Sequence, residues 1–320
     1  MGQLLDGVWQ SGDVRGATED GNFKRKDSAF RDWIRDDASA RFQPEAGRYH
    51  LYVSYACPWA HRTLIFRKLK GLEGMIGVTV VDPRMLENGW QFTDEHPDTL
   101  HGAEYLHQVY TRADPKYTGK VTVPVLWDKK EGTIVNNELA EIIRMFNSAF
   151  DRVGAKPGDY YPAELADEID AVNERVYETV NNGVYRAGFA TKQRAYEDAF
   201  DDLFDTLDWL ELRLSKQRYL LGERVTEADW RLLPTLLRFD PVYHGHFKCN
   251  RSRIVDFPNL WGYTRELYQW SGIAATVHLD HIKTHYYASH RTVNPTGIVP
   301  KGPSVDFAGP HGRERLQSAA

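Results

Sequence analysis

Tyr49-His50-Leu51-Tyr52-Val53-Ser54-Tyr55-Ala56-Cys57-Pro58-Trp59-Ala60-His61-Arg62 decides how this chain is read. Residues 49–55 alternate in the way a half-buried strand does. Pro58 suits a first helical turn, because its missing N–H would lack a partner there anyway. Ala60, Leu64, Phe66, Leu69 and Leu72 supply an apolar face until Gly71 weakens the helix. Cys57 thus stands between a strand and a helix N-terminus. Unpaired N–H groups and the positive end of the helix dipole both favour thiolate over thiol, and such placements bring a cysteine pKa to roughly 3.5–7.5. A buried, inert cysteine is the plain alternative, but it has no need of a helix N-terminus.

The fourth position of Cys57-Pro58-Trp59-Ala60 is not a second cysteine, so no resolving thiol stands nearby. Cys249 is the one other cysteine and lies far along the chain. A mixed disulfide on Cys57 is therefore expected to be cleared by a thiol from solution.

The totals fit this picture. A chain of 320 residues is long for one core, so two domains are expected. A net charge of -5 argues against a nucleic-acid footprint. No run approaches eighteen consecutive apolar residues, so no membrane partner is expected. The N-terminus lacks a basic segment followed by an apolar run, and two cysteines make no disulfide framework. Both features fit a reducing cytoplasm.

Outward from Cys57, residues 1–46 are polar and read as an extension draped over the body. Ile76 to Val81 is a second strand, which completes a β-α-β unit with a parallel pair. Residues 84–103 read as a long loop, and Glu104 to Arg112 as a short helix. Val121 to Trp127 and Thr133 to Val135 form a hairpin, followed by a helix over Glu138 to Phe146. Pro124 cannot donate to a ladder, so its strand is an edge, turns locally, or carries a cis bond. From Pro162 the pattern is helical. Leu165, Ile169, Val172, Val176 and Val180 share a face, and Asn182-Gly183 ends that run. Phe200, Leu203, Leu207, Leu210 and Leu214 form another face, and Thr226 with Asp229 makes a capping-box variant. The boundaries read as an extension over 1–46, an α/β domain over 47–150, an all-helical domain over 160–294, and a surface tail over 295–320.

The strand order with its cysteine and Val-Pro looks like a thioredoxin fold. The helical half with Leu221-Gly222-Glu223 and Thr226-Glu227-Ala228-Asp229 resembles the glutathione transferase superfamily. The strings Asn88-Gly89-Trp90, Val121 to Asp128, Asn136-Asn137-Glu138, Lys283 to Tyr287 and Asn294 to Pro300 narrow the likeness. Together they resemble the glutathionyl-hydroquinone reductases, or Xi-class transferases. The expected fold is then an α/β thioredoxin-like N-terminal domain with an all-α glutathione-transferase C-terminal domain.

The resemblance implies reductive removal of glutathione from glutathionylated hydroquinones, with Cys57 as nucleophile. No bound cofactor or metal is implied; glutathione is a cosubstrate, and a homodimer is expected. Tyr185, Tyr243 and Tyr286 match the family's substrate-pocket tyrosines. Tyr185 is assigned the proton donor, and Tyr243 and Tyr286 are hydrogen-bond donors near the thiolate and ring oxygens. For thiol binding the match falls on Trp90, Lys120, Val123, Pro124, Glu138 and Leu139. The Val123 backbone pairs with the cysteinyl amide. Glu138 accepts the γ-glutamyl ammonium, Lys120 answers the glycyl carboxylate, and Trp90 packs on the peptide. Leu139 is a departure, because the family usually has Ser there. One hydroxyl is lost, worth about 1 kcal/mol, while the helix N-terminus remains for the γ-glutamyl carboxylate. A related low-molecular-weight thiol is the alternative cosubstrate.

Other readings differ in class. An Omega-like thiol oxidoreductase would reduce disulfides or dehydroascorbate and leave the tyrosines idle. A transferase-like docking module would leave Cys57 idle. His244, His246 and Cys249 fall short of a zinc-like ligand set. His285 reads as a hydrogen-bonding core residue.

Overall fold

The structure, a computed structural model, describes residues 2–12, 18–24 and 27–316. Two compact units result. Of the described residues, one comprises 2–12, 27–158 and 278–285, the other 18–24, 159–277 and 286–316.

The first unit opens with an antiparallel hairpin, β1 (Gly2–Leu5) and β2 (Val8–Ser11). Its main sheet follows the expected order of elements. β3 (Tyr49–Val53) leads through α1 (Pro58–Leu69) to β4 (Gly77–Val80), which runs parallel to β3. The long segment after β4 is not all loop, since β5 (Met85–Leu86) and β6 (Gly89–Trp90) form a small ladder. α2 (Leu106–Ala113) then leads to the hairpin of β7 (Val125–Asp128) and β8 (Thr133–Asn136), and α3 (Leu139–Ser148) follows. The strand order is β4-β3-β7-β8.

One expectation is corrected here, and one set of alternatives is decided. β3 is buried along its whole length, not half-buried. Its polar residues alternate because each finds a partner inside: His50 Nε2 meets Thr79 Oγ1 at 2.8 Å, and Tyr52 donates to Asp98 at 3.1 Å. The strand carrying Pro124 is no edge. β7 lies between β3 and β8, and it begins only after Pro124, so the missing N–H falls outside the ladder. The cis bond is the expected alternative that holds, since the Val123–Pro124 peptide bond is cis.

α1 and α3 pack on each other beside the sheet. α1 buries Ala60, Ile65 and Phe66 completely, and α3 does the same with Ile142, Ile143 and Phe146. Each large side chain among them contributes roughly 1.5–3 kcal/mol of burial. This packing fixes the N-termini of both helices. α1 ends at Leu69, and Gly71 takes the left-handed conformation (φ 63°) that a side chain would resist.

The N-terminal segment is stitched in, rather than draped. Arg31 bridges Asn136, Asp32 N donates to the Val135 carbonyl at 3.0 Å, and Arg31 pairs with Glu141.

The second unit is helical: α4 (Ala166–Val176), α5 (Gly183–Gly188), α6 (Gln193–Lys216), α7 (Glu227–Arg238), α8 (His244–His246), α9 (Pro258–Tyr268) and the last residues of α10 (Leu279–Ser289). The capping box at Thr226 forms as expected, with Thr226 N donating to Asp229 Oδ2 at 2.7 Å. Asn182-Gly183 is not the stop it reads as. A π-helical turn, Tyr177–Asn181, carries the chain straight into α5. Gly183 is the first residue of α5 and is buried there, and an added Cβ would make only ordinary contacts, with Leu203 at 3.8 Å. A second π-helical turn, Phe239–Tyr243, follows α7. The tail is more than a surface strand. Arg313 is 1% exposed and donates to the carbonyls of Gln217 at 2.9 Å and Leu214 at 3.2 Å, just where α6 ends.

Candidate active site

In the first unit, Cys57 is the N-cap of α1, with extended backbone (φ -74°, ψ 120°) and Pro58 as the first helical residue. Its carbonyl takes the first helical bond, from His61 N at 3.0 Å. The sulfur therefore stands at the helix end whose dipole favours an anion. Cys57 Sγ lies 3.6 Å from the Val123 carbonyl. The structure thus joins the predicted nucleophile to the residue whose backbone is predicted to bind the thiol.

The remaining thiol-binding candidates belong to the same unit. Trp90 ends β6 and is 6% exposed. Its indole stacks on the His285 imidazole, with ring centres 4.9 Å apart and planes at 22°. His285 Nδ1 donates to the Pro83 carbonyl at 2.9 Å, which fits the expected hydrogen-bonding core role. Lys120 is half-buried in the segment before Val123, and its carbonyl accepts from Tyr117 Oη at 3.1 Å. Glu138 caps α3. Its Oε1 accepts from Ala140 N at 3.3 Å, and its own N–H donates to Asn136 Oδ1 at 2.6 Å. Leu139 is the first residue of α3 and is buried.

Ser28 was not visible as a site residue in the sequence. Its Oγ lies 3.0 Å from Glu138 Oε2. Nothing local in the chain announces a contact made across 110 positions. His285 beneath Trp90 was likewise read only as core.

In the second unit the three predicted tyrosines meet. Tyr286 Oη is 2.5 Å from Tyr185 Oη and 2.9 Å from Tyr243 Oη, which makes it the centre of a three-hydroxyl chain. Tyr185 comes from α5, just after one π-helical turn, and Tyr243 closes the other. Tyr286 lies on α10. Such turns shift side chains off the regular helical register and recur at functional sites. The exposures of Tyr185, Tyr243 and Tyr286 are 8%, 0% and 1%. Phe247 packs against all three rings.

Burial pushes the Tyr243 and Tyr286 phenols well above the usual tyrosine range, so both hold their protons at neutral pH. Each bond within the chain takes one hydroxyl proton, so two of the three protons are engaged there. The arrangement can deliver a proton.

The other cysteine and histidine candidates are accounted for otherwise. Cys249 is fully buried, and burial pushes its thiol up, so it stays protonated. His246 Nε2 meets His290 Nδ1 at 3.2 Å. Among the described residues no group of three His, Cys, Asp or Glu side chains could hold a metal ion.

The model of the glutathione S-transferase N-terminal domain matches residues 56–149, and that of the C-terminal domain residues 193–266. The glutathionyl-hydroquinone reductase YqjG of Escherichia coli is 57% identical, over 98% of this chain and 99% of its own. The glutathionyl-hydroquinone reductase PcpF of Sphingobium chlorophenolicum is 58% identical, over 97% of this chain and 98% of its own. The glutathione-bound structure of YqjG matches with a TM-score of 0.91 at 56% identity, covering 98% of this chain and 99% of that one. A Xi-class transferase from Natrialba magadii gives a TM-score of 0.94 at 53% identity, covering 99% and 98%. With a cysteine at the helix N-terminus and likeness along nearly the whole length, the chain belongs to the glutathione S-transferase family, within the Xi-class glutathionyl-hydroquinone reductases.

Proposed function

We propose that this protein removes glutathione from glutathionyl-hydroquinones through a mixed disulfide on Cys57. The observation that carries the reading is Cys57 capping α1 beside the Val123 carbonyl, with Ala60 where a resolving cysteine would stand.

In the first step the Cys57 thiolate attacks the glutathionyl sulfur of the thioether. A sulfur–sulfur bond forms and the carbon–sulfur bond breaks, with its electron pair left on the ring carbon. That carbon takes a proton, which releases the hydroquinone. The tyrosine chain is the proton source in this reading, with Tyr185 as donor and Tyr286 and Tyr243 passing the proton along behind it. The ring carbon is reduced by two electrons, and the Cys57 thiolate sulfur and the thioether sulfur are together oxidised to a disulfide. In the second step a glutathione thiolate attacks the mixed disulfide, giving glutathione disulfide and the Cys57 thiolate. Cys249, buried and protonated, takes no part.

The thiol is proposed to lie along Val123, with Glu138 facing its ammonium, Lys120 its glycyl carboxylate, and Trp90 its peptide. The stack on His285 holds the Trp90 plane for that purpose. Leu139 offers only the helix N-terminus to the γ-glutamyl carboxylate. The same reading expects a homodimer, which a solution mass of one or two chains decides. No helix among the described residues is long and apolar enough to cross a membrane.

The test is turnover of glutathionyl-menadiol with excess glutathione. Hydroquinone and glutathione disulfide in equal amounts support the reading. Disulfide exchange without hydroquinone release would favour an Omega-like oxidoreductase instead.

A further inference from the structure

Glu138 is held from two directions. Oε1 accepts from Ala140 N at 3.3 Å, and Oε2 from Ser28 Oγ at 3.0 Å. Ser28 Oγ also lies 3.2 Å from the Asn137 carbonyl. One hydroxyl proton serves one acceptor at a time, and the charged carboxylate is the stronger of the two.

The segment that brings Ser28 is itself fixed. Phe30 N donates to Asn137 Oδ1 at 3.0 Å, and Asn137 N donates back to the Phe30 carbonyl at 3.1 Å. The Phe30 ring stacks on Tyr117, with centres 5.5 Å apart. Asn137 Nδ2 donates to Tyr110 Oη at 3.1 Å, which ties the junction to α2. Ser28 is thus delivered to the start of α3 by a clamp on the residue next to Glu138.

We propose that Ser28 is a positioning residue for thiol selection: its hydroxyl presets the Glu138 carboxylate to receive the ammonium group of a γ-glutamyl thiol. The inference rests on the role given to Glu138 above. A carboxylate offers about four acceptor positions. The bonds from Ser28 and Ala140 use two of them, hold the carboxylate in one orientation and leave the others for a cation. A preset side chain gives up less rotamer freedom when ligand binds. The preset counts for more in this chain, because Leu139 brings no hydroxyl to the other charged group on the γ-glutamyl carbon.

The experiment compares two ligands that do not react with Cys57. One is S-methylglutathione, and the other is its desamino analogue, in which hydrogen replaces the γ-glutamyl ammonium. Dissociation constants are measured by calorimetry for the wild type, Ser28→Ala and Ser28→Thr. Ser28→Ala is expected to weaken S-methylglutathione about 3- to 10-fold, the range of one hydrogen bond. The desamino analogue should bind all three proteins equally, and Ser28→Thr should keep wild-type selectivity. In turnover, KM for the glutathionyl substrate should rise with kcat unchanged.

Equal weakening of both ligands by Ser28→Ala, or no weakening, overturns the inference, since a merely structural role would not tell them apart. If the wild type itself binds both ligands equally, Glu138 does not read the ammonium. That result overturns the thiol-binding assignment and this inference together, while hydroquinone turnover, measured separately, still decides the reaction.

Discussion

The Cys57 turn and the tyrosine chain carry the two halves of the proposed chemistry, and they are built in opposite ways. The nucleophile is defined by neighbours in sequence: a strand, one extended residue and a proline at the first helical position. The three hydroxyls come from three helical segments, with Tyr185 and Tyr286 101 positions apart. The cysteine turn is specified by backbone rules that act over a few residues. The tyrosine chain is specified by packing and by two π-helical turns, which no local rule writes into the sequence. The first should therefore tolerate change elsewhere, and the second should respond to any residue that sets its register.

The sharpest break between the two is Cys57→Ser. Hydroquinone release should fall by at least about 10³-fold, as when other enzymes lose a nucleophile, with the melting temperature unchanged. A large loss of stability would mean that the turn is structural.

Tyr185→Phe comes next. Thioether cleavage should drop about 10²- to 10⁴-fold, the span of general acid catalysis. Glutathione exchange at Cys57, which needs no ring proton, should keep its rate. Stopped-flow measurement of both steps checks this, and equal losses would merge the two regions into one function. Tyr286→Phe should also destabilise the fold, by about 1–3 kcal/mol, because it leaves the Tyr185 and Tyr243 hydroxyls without their shared partner.

The pH response should separate the regions too. Tyr243 and Tyr286 keep their protons far above neutrality, so these two phenols impose no alkaline limit on activity near pH 8. His50, on β3 of the first unit, is pushed down to about 4 by burial. Between about pH 6.5 and 4 the unfolded chain binds the proton and the folded chain does not, so stability falls as pH falls through that window. The slope from this residue is at most about 1.4 kcal/mol per pH unit. Denaturant melts of the wild type and His50→Gln should show a shallower acid slope in the variant.

The smallest effect is expected at Leu139→Ser. Restoring one hydroxyl should lower KM for a glutathionyl substrate by about fivefold, equal to roughly 1 kcal/mol. Weaker binding would show that the buried Leu139 side chain is worth more to the start of α3 than the hydroxyl is to the thiol.

What the sequence disclosed follows the same division. β3, α1, β4 and the capping box at Thr226 were legible, because period, proline placement and capping act locally. Asn182-Gly183 read as a helix end, yet a π-helical turn leads on into α5, because a glycine within a helical stretch and a glycine at a stop look alike in sequence. β3 read as half-buried because His50 and Tyr52 are polar. Their partners, Thr79 and Asp98, are 29 and 46 residues away. Ser28 was invisible for a like reason. The tyrosines could be singled out only through the family resemblance, since seventeen Tyr residues offer no local distinction.

The central claim is a disulfide between Cys57 and glutathione that forms as the ring is released. The most direct measurement is a single turnover, with one equivalent of glutathionyl-menadiol, no added thiol, an acid quench and intact-mass analysis followed by peptide mapping. The account predicts one glutathione on Cys57 for each menadiol released, and none on Cys249. Menadiol released with Cys57 unmodified would contradict it.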